Sequence, residues 1–307
     1  MAFDLLSYFL AGSDINPREM QKQKIEFAVL ITGCDSGFGK ALAFSLTKRG
    51  FVVFAGCLHK ESLAQFKKEA LVKPFLLDVT NDKSVENASK MVSEWLSSST
   101  TSSSAKSSAL KKERYFHALV NNAGIARLGL IDWAKTSDFK QAMDVNFLGQ
   151  VRCVKAFLPI FKQQSAEQLY SDARIINMVS MAGLFSGGSG FSPYVCSKHA
   201  ADAFTCNLQI EMKAFNVKVT AINPTFHGTQ MANASTNEKL LHDVWNGCSK
   251  EQREEYGEGK IFALLLSFSI HDSNLLLVFI IWSRIVCCVL CILTHPNYDF
   301  QISFKIF

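Results

Sequence analysis

No basic stripe runs through this chain. Its 32 lysines and arginines are spread along 307 residues for a net charge of +5, without interleaved aromatics, so nucleic acid is not an expected partner. The N-terminal MAFDLLSYFLAG has no basic leader, and its apolar run is too short for a signal peptide or a membrane span. Asp4 and the lack of early arginines speak against a mitochondrial transit peptide. A disulfide framework is missing too, since the nine cysteines are scattered and odd in number, which suits a reducing compartment. Cys288 and Cys291 form a C-x-x-C inside an apolar run, with no nearby histidine or second pair. Buried thiols are expected there rather than zinc or redox chemistry, and no metal is assigned. The N-x-S sequons at Asn87 and Asn233 would matter only in a secreted protein. The cytoplasm is the expected location, with mitochondrial or membrane-associated placement as alternatives.

What is present is apolar and periodic. The hydrophobic share of 48% is enough for one substantial core, or for a domain with an appendage. Six apolar runs read as strands: IEFAVLI (25–31), FVVFAGCL (51–58), PFLLDVT (74–80), HALVNNAG (117–124), RIINMVSMAG (174–183) and VKVTAINP (217–224). Helices are predicted between them over Lys40–Lys48, Glu61–Ala70, Asp82–Leu96, Phe139–Phe161 and Tyr194–Phe215, the first ended by Gly50 and the fourth with Pro159 near its end. The stretch SSSTTSSSAKSS (97–108) cannot bury apolar area and is expected to be a solvated loop. Continuous apolar strands alternating with helices imply an α/β fold, a three-layer doubly wound parallel sheet with right-handed crossovers. The domain is expected over residues 25–258, with a divergent tail over 259–307.

The polar residues gather where the strands end. ITGCDSGFG (31–39) links an apolar strand to a helix, and Gly33, Gly37 and Gly39 would let backbone approach a phosphate at the helix N-terminus. Alone, the same residues read more readily as a tight turn. Asp78, Asn121 to Gly124, Ser180, and Pro224 with Thr229 follow four other strands, and in such sheets ligands sit at those ends. In SPYVCSK (192–198), Tyr194 and Lys198 are four apart, one turn above each other on a predicted helix. An ammonium beside a phenol favours the phenolate, and Ser180 on the neighbouring strand end could hydrogen-bond the same substrate oxygen. A surface helix with an ordinary Tyr and Lys is the plainer reading of that pair alone.

Taken together, TGCDSGFG, NNAG, the DVN of 144–146, Ser180 and Y-x-x-x-K resemble the short-chain dehydrogenase/reductase family over roughly residues 25–260. ITGCDSGFG, FVVFAGCL, VRCVKAFLP and SPYVCSK are most similar to its branch with D-3-hydroxybutyrate, retinol and 17β-hydroxysteroid dehydrogenases. The resemblance implies an oxidoreductase moving a hydride between a nicotinamide dinucleotide and a secondary alcohol or ketone, 3-hydroxybutyrate-like first, retinol or hydroxysteroid next. It implies Tyr194 as general acid/base and Lys198 as the group that lowers the Tyr194 pKa and holds the nicotinamide ribose. Ser180 would orient the substrate oxygen, and Asn146 would position a water that relays protons through Lys198. Thr32, Gly33, Asp35, Ser36, Gly37, Phe38 and Gly39 would hold the adenosine ribose and pyrophosphate. Asp78 and Val79 would border the adenine, with Asn121, Ala123 and Gly124 along the sheet edge beside the cofactor. Pro224 and Thr229 would wrap the nicotinamide, and a homo-oligomer is implied. The family's Pro-Gly after the sixth strand is Pro224-Thr225 here, which puts a Cβ where glycine is usual. NAD is expected over NADP, because the Asp35 carboxylate would repel a 2′-phosphate, although His59 and Lys60 bring basic groups to the same strand end.

The resemblance stops near Glu258. Beyond it the chain has neither helical nor strand periodicity, and Leu275–Leu293 is about long enough to span a bilayer, with Arg284 in mid-span. A membrane anchor, a divergent buried segment, and read-through of an intron from a splice donor within the Gly259-Lys260 codons are the competing readings. The expected consequence is an incomplete substrate lid, poor solubility or membrane association, and weak activity. The alternative function is therefore a non-catalytic or inactive nucleotide-binding protein.

Overall fold

A computed structural model of the chain describes residues 17–22, 24–98, 113–167, 169–170, 172–184, 190–224 and 234–257. Thr225, Thr229, Asn233, Cys288 and Cys291, most of the 97–108 stretch and the whole 259–307 tail lie outside the described residues.

Six strands form one parallel sheet in the order β3-β2-β1-β4-β5-β6. They are β1 (Ile25–Ile31), β2 (Val52–Cys57), β3 (Val72–Leu76), β4 (Glu113–Asn121), β5 (Arg174–Met178) and β6 (Lys218–Ile222). The described helices are α1 (Pro17–Lys22), α2 (Gly37–Arg49), α3 (Asp82–Ser97), α4 (Thr136–Met143), α5 (Gly149–Ala166), α6 (Ser192–Met212), α7 (Ala234–Asn246) and α8 (Lys250–Tyr256). The sheet and the helices through α7 belong to one unit, residues 1–253.

The apolar runs are continuous because the sheet is covered on both faces. Alternate residues of β1 enter different cores. Ala28 and Leu30 pack with Val85, Val92, Phe157, Phe161 and Leu208 of α3, α5 and α6, whereas Val29 and Ile31 pack with Leu42 and Leu46 of α2. Gly50 ends α2 in the left-handed conformation at φ 99°, and Asn81 caps α3 by accepting a bond from Ser84 N at 3.0 Å. Strand order reverses between β1 and β4, and that crevice is where doubly wound sheets bind ligands.

Strand bounds shift by a few residues, with β3 at Val72–Leu76 rather than 74–80 and β4 at Glu113–Asn121 rather than 117–124, and the helices differ further. Glu61–Ala70 is not an α-helix; a 3₁₀ run, Lys60–Phe66, occupies the short link between β2 and β3. The helix expected over Phe139–Phe161 is two α segments, α4 and α5, joined by a π-helical turn at Asp144–Leu148. Pro159 sits well inside α5, which continues to Ala166. The helix expected over Tyr194–Phe215 is α-helical to Met212 and ends in a 3₁₀ turn, Lys213–Phe215.

Candidate active site

The β1–α2 turn is built as a cradle. Thr32 N donates to Val120 O at 3.0 Å, and Thr32 Oγ1 accepts from Asn122 N at 3.0 Å and Ala123 N at 2.9 Å. Asn122 Nδ2 returns bonds to Thr32 O at 2.9 Å and Gly33 O at 3.0 Å. The first glycine turn is thus stapled to the loop after β4. Gly33 has φ +69°, and a Cβ there would stand 2.8 Å from Ala123 Cα. A Cβ on Gly39 would stand 2.4 Å from Gly33 O and 2.5 Å from Asn122 Nδ2. Both positions need glycine because backbone occupies the space. Ser36 precedes α2 without a side-chain cap, and Gly37 begins the helix at φ +56°. No Ser36 hydroxyl competes for the first amides of α2, which suits an anionic ligand. Phe38 packs its ring against the α2-side core.

Asp35 closes the outer side of the cradle. Its Oδ2 accepts from Leu58 N at 2.9 Å and its Oδ1 from His59 N at 3.0 Å, so the carboxylate is pinned at the carboxyl end of β2. A carboxylate has about four lone-pair sites, so these two bonds leave acceptor capacity for a sugar hydroxyl. Farther along the edge, Asp78 Oδ1 accepts from Thr80 N at 2.9 Å and Thr80 Oγ1 at 2.7 Å. Val79 is buried against Gly149, where a Cβ would come within 2.8 Å of Val79 Cγ2. Arg152 ties this loop to the π turn, pairing with Asp82 at 3.0 Å and Asp144 at 2.6 Å and donating to Val79 O at 3.3 Å.

Ser180, Tyr194, Lys198 and Asn146 are brought to the same sheet edge by β5, α6 and the π turn. Ser180 N donates to Asn223 Oδ1 at 3.3 Å, and Met181 N to Pro224 O at 3.1 Å, which joins the ends of β5 and β6. Ser180 Oγ accepts from Ala182 N at 3.1 Å and lies close enough to the Tyr194 phenol to favour its ionised form. Pro193 lies in the first turn of α6, where its missing N–H costs nothing, and Tyr194 follows it. Lys198, one turn on, is buried; its Nζ lies 5.6 Å from the Tyr194 ring centroid and donates to Met178 O at 3.0 Å. Burial lowers the Lys198 pKa to about 8. Burial also raises the Tyr194 pKa above its usual value, with Ser180 pulling the other way. Desolvation dominates the Tyr194 shift in this geometry, and the opposing contribution comes from Ser180 rather than from Lys198.

Asn146 is fully buried, and its amide is spent on protein. Oδ1 accepts from Ile125 N at 2.8 Å, while Nδ2 donates to Ile125 O at 3.0 Å and Ser197 Oγ at 2.9 Å. The loop after β4 is thereby fixed beside Lys198, and a Cβ on Gly124 would lie 3.2 Å from Asn146 Oδ1 and 3.6 Å from Lys198 Nζ. Asn121 turns the other way into the protein. Its Nδ2 donates to Asn177 Oδ1 at 2.8 Å, Asn177 Nδ2 to Thr205 Oγ1 at 2.8 Å, and Thr205 Oγ1 to Ala201 O at 2.7 Å.

On the far side of the loop after β4, Trp133 and Trp245 meet edge to face with centroids 5.0 Å apart, and Leu128 and Leu241 are buried with them. This clasp holds α7 against the loop. Gly129 N donates to Gly190 O at 2.7 Å, tying the same loop to the entry of α6. Asn122 was placed at the end of the fourth strand but given no role of its own. Asn177, Ser197, Arg152 and α7 were not anticipated from sequence and carry no local mark.

The short chain dehydrogenase profile matches residues 27–240. The chain is 34% identical over 239 residues to a 3beta-hydroxysteroid dehydrogenase of Caenorhabditis elegans, dhs-16, covering 75% of this chain and 56% of that protein. It is 32% identical over 242 residues to retinol dehydrogenase 16 of Rattus norvegicus, covering 77% and 68%. It is also 32% identical over 240 residues to the mitochondrial D-beta-hydroxybutyrate dehydrogenase of Rattus norvegicus, covering 75% and 64%. The chain thus spans 56% to 68% of the length of these relatives. A short chain dehydrogenase/reductase from Burkholderia phymatum, solved in complex with NAD, shares the fold with a TM-score of 0.58 at 24% identity, over 71% of this chain and 72% of that one. With the profile spanning all six strands and relatives above 30% identity over three quarters of its length, the chain belongs to the short chain dehydrogenase family.

Proposed function

We propose that the protein is an NAD-dependent oxidoreductase interconverting a secondary alcohol and its ketone. Our first choice is a 3-hydroxybutyrate-like substrate, with a retinol or a hydroxysteroid next. One observation carries the reading: the Tyr194 phenol beside Ser180, one helical turn from buried Lys198, stands on the same sheet edge as the glycine cradle. The residues present fit a dinucleotide, since backbone fills the places where a Cβ at Gly33 or Gly39 would go and no Ser36 side chain caps α2. The α2 amides would hold the pyrophosphate and Asp35 the adenosine ribose. Asp78 and Val79 would border the adenine, and the backbone from Asn121 to Gly124, with Pro224, would line the nicotinamide side. When bound, the nicotinamide supplies the acceptor, or in reverse the donor, of the carbon-bound hydrogen with its electron pair.

The proton is handled by this chain. In oxidation, Ser180 orients the alcohol oxygen and the Tyr194 oxygen takes its proton as the carbonyl forms; in reduction, Tyr194 returns it. Lys198, as an ammonium, stabilises the phenolate and reaches toward the ribose. The Asn146 side chain serves the loop backbone, so a water relay would use its main chain in the π turn. The fixed negative charge of Asp35 favours free ribose hydroxyls over a 2′-phosphate, which supports NAD.

The test combines NADH and NADPH titration by fluorescence with cofactor reduction on 3-hydroxybutyrate, a retinol and a hydroxysteroid. Turnover that Tyr194→Phe lowers by about 10²-fold or more, at nearly unchanged NADH affinity, supports the assignment. Full activity in Tyr194→Phe sinks the mechanism. Binding without turnover on any substrate would make the chain a non-catalytic nucleotide-binding protein.

A further inference from the structure

Gln65 lies outside the catalytic set and outside the glycine turn, yet its amide is committed to that turn. Its Nε2 donates to Cys34 O at 3.0 Å and reaches Asp35 O at 3.4 Å. A side-chain amide nitrogen carries two N–H groups, one for each carbonyl. Gln65 belongs to the 3₁₀ run Lys60–Phe66, and the next residue, Phe66, anchors that run. Phe66 is 1% exposed in the α2-side core and meets the Phe44 ring of α2 with centroids 5.2 Å apart. The other end of the same link supplies the Leu58 and His59 amides that hold the Asp35 carboxylate at 2.9 and 3.0 Å. Residues 58–65 therefore grip Asp35 twice, at its carboxylate from one end and at its main chain from the other.

The turn needs the second grip. Asp35 lies between Gly33 and Gly37, both at positive φ, and glycine on either side lets the intervening peptides pivot. Cys34 N donates to Gly56 O at 2.8 Å, which ties the inner side of this stretch to β2. On the outer side, Gln65 bonds the Cys34 and Asp35 carbonyls. Repulsion between a carboxylate and a 2′-phosphate falls with distance and is screened by solvent, so it discriminates only while the carboxylate stays in place. We propose that Gln65 is a positioning residue that sets cofactor specificity. By holding the Cys34 and Asp35 carbonyls it keeps the Asp35 carboxylate against the adenosine 2′ position, and so fixes the margin by which NAD is preferred to NADP. The inference rests on the reading above of Asp35 as the ribose acceptor. Gln65 acts through Asp35 and needs no contact with the cofactor.

The test compares the NADPH and NADH dissociation constants as a ratio, read by fluorescence titration of full-length protein. Gln65→Met keeps the length and removes the donors. It is expected to lower the NADPH-to-NADH ratio by about three- to tenfold, toward the value in Asp35→Asn. Gln65→Met added to Asp35→Asn should change the ratio no further. In cofactor-free protein, the Leu58 and His59 amides should exchange with deuterium about tenfold faster in Gln65→Met, because their acceptor is released. A ratio unmoved, or both affinities weakened equally as loss of structure alone would do, overturns the proposal. So do Leu58 and His59 amides that exchange at the wild-type rate. If Gln65→Met does not fold, Gln65→Ala is read by the same two measurements. Asp35→Asn separates the two readings. A ratio it leaves unchanged sinks the ribose role of Asp35, and this inference with it. A ratio that moves in Asp35→Asn but not in Gln65→Met sinks this inference alone.

Discussion

Asn122 Nδ2 and the Gly33 carbonyl oxygen are 3.0 Å apart, and that bond, with its twin to Thr32 O at 2.9 Å, closes the glycine turn against the loop after β4. Asn122→Leu keeps much of the volume and removes both donors. Each carbonyl left unpaired costs about 1–3 kcal/mol. The expected outcome is a lower melting temperature together with at least about tenfold weaker NADH binding, read by calorimetry and fluorescence titration. Unchanged binding would show that the staple does not shape the cradle.

Gly39→Ala asks for a Cβ where Gly33 O and Asn122 Nδ2 already lie within 2.4 and 2.5 Å. The turn has to open, and NADH binding should be lost. Ser36→Ala, next to it, removes a hydroxyl that caps nothing and should leave the fold's stability almost unchanged. Equal stability and affinity in both variants would contradict the close approach at Gly39.

Asp35 is held by the Leu58 and His59 amides. Wild-type protein should therefore bind NADH more tightly than NADPH. Asp35→Asn keeps the shape and removes the charge, which should shift the preference toward NADPH by about tenfold or more. Tighter NADPH binding by the wild type would overturn the choice of cofactor and turn attention to Lys60 as a phosphate ligand.

Lys198 has a folded pKa of about 8, below the 10.5 of a free lysine. The unfolded chain therefore binds the extra proton between those values. Folding bears the full cost of the buried group below pH 8, and stability recovers as pH rises toward 10.5. Lys198→Met should be more stable than wild type at pH 7, by roughly 1–3 kcal/mol, less what the bond to Met178 O contributes. The difference should shrink toward pH 10. Denaturant unfolding at three pH values measures it, and a gap that widens with pH would reverse the assignment.

Much of the architecture can be read from the sequence because strands covered on both faces must be apolar throughout. IEFAVLI and β1 share both ends, at Ile25 and Ile31. The π turn at Asp144–Leu148 leaves no such trace. Slipping the hydrogen bonds by one residue changes no residue type, and the close approach beside it, Gly149 on Val79, joins segments 70 positions apart. KESLAQF reads as helix because its spacing suits one, and it does wind, but as a 3₁₀ run that ends at Phe66, six residues before β3. Ser180, Tyr194 and Lys198 could be placed together from their spacing along strand and helix. The balance of effects on the phenol could not, since desolvation depends on what covers the group. The roles of Asn121 and Asn122 were equally hidden. Successive residues at a strand end face opposite ways, and the sequence does not say which meets Thr32 and which meets Asn177.

The hydrogen bonds running from Asn121 through Asn177 and Thr205 to Ala201 O act as an index pin. The surrounding core is Ile, Val, Leu and Phe, and such side chains tolerate small shifts and exchanges. A strand sliding by one place would turn Asn177 to the opposite face and strand its partners in an apolar medium, a penalty that accumulates with each broken bond. β5 can therefore mate with β4 and α6 in one alignment only. Ser180 comes two residues after β5, while Tyr194 and Lys198 ride on the helix that carries Thr205, so the pin that sets the strand also sets the tolerance between hydroxyl and phenol. Apolar replacements at all three positions could leave a chain that melts no lower than the original and still misses its chemistry by an ångström.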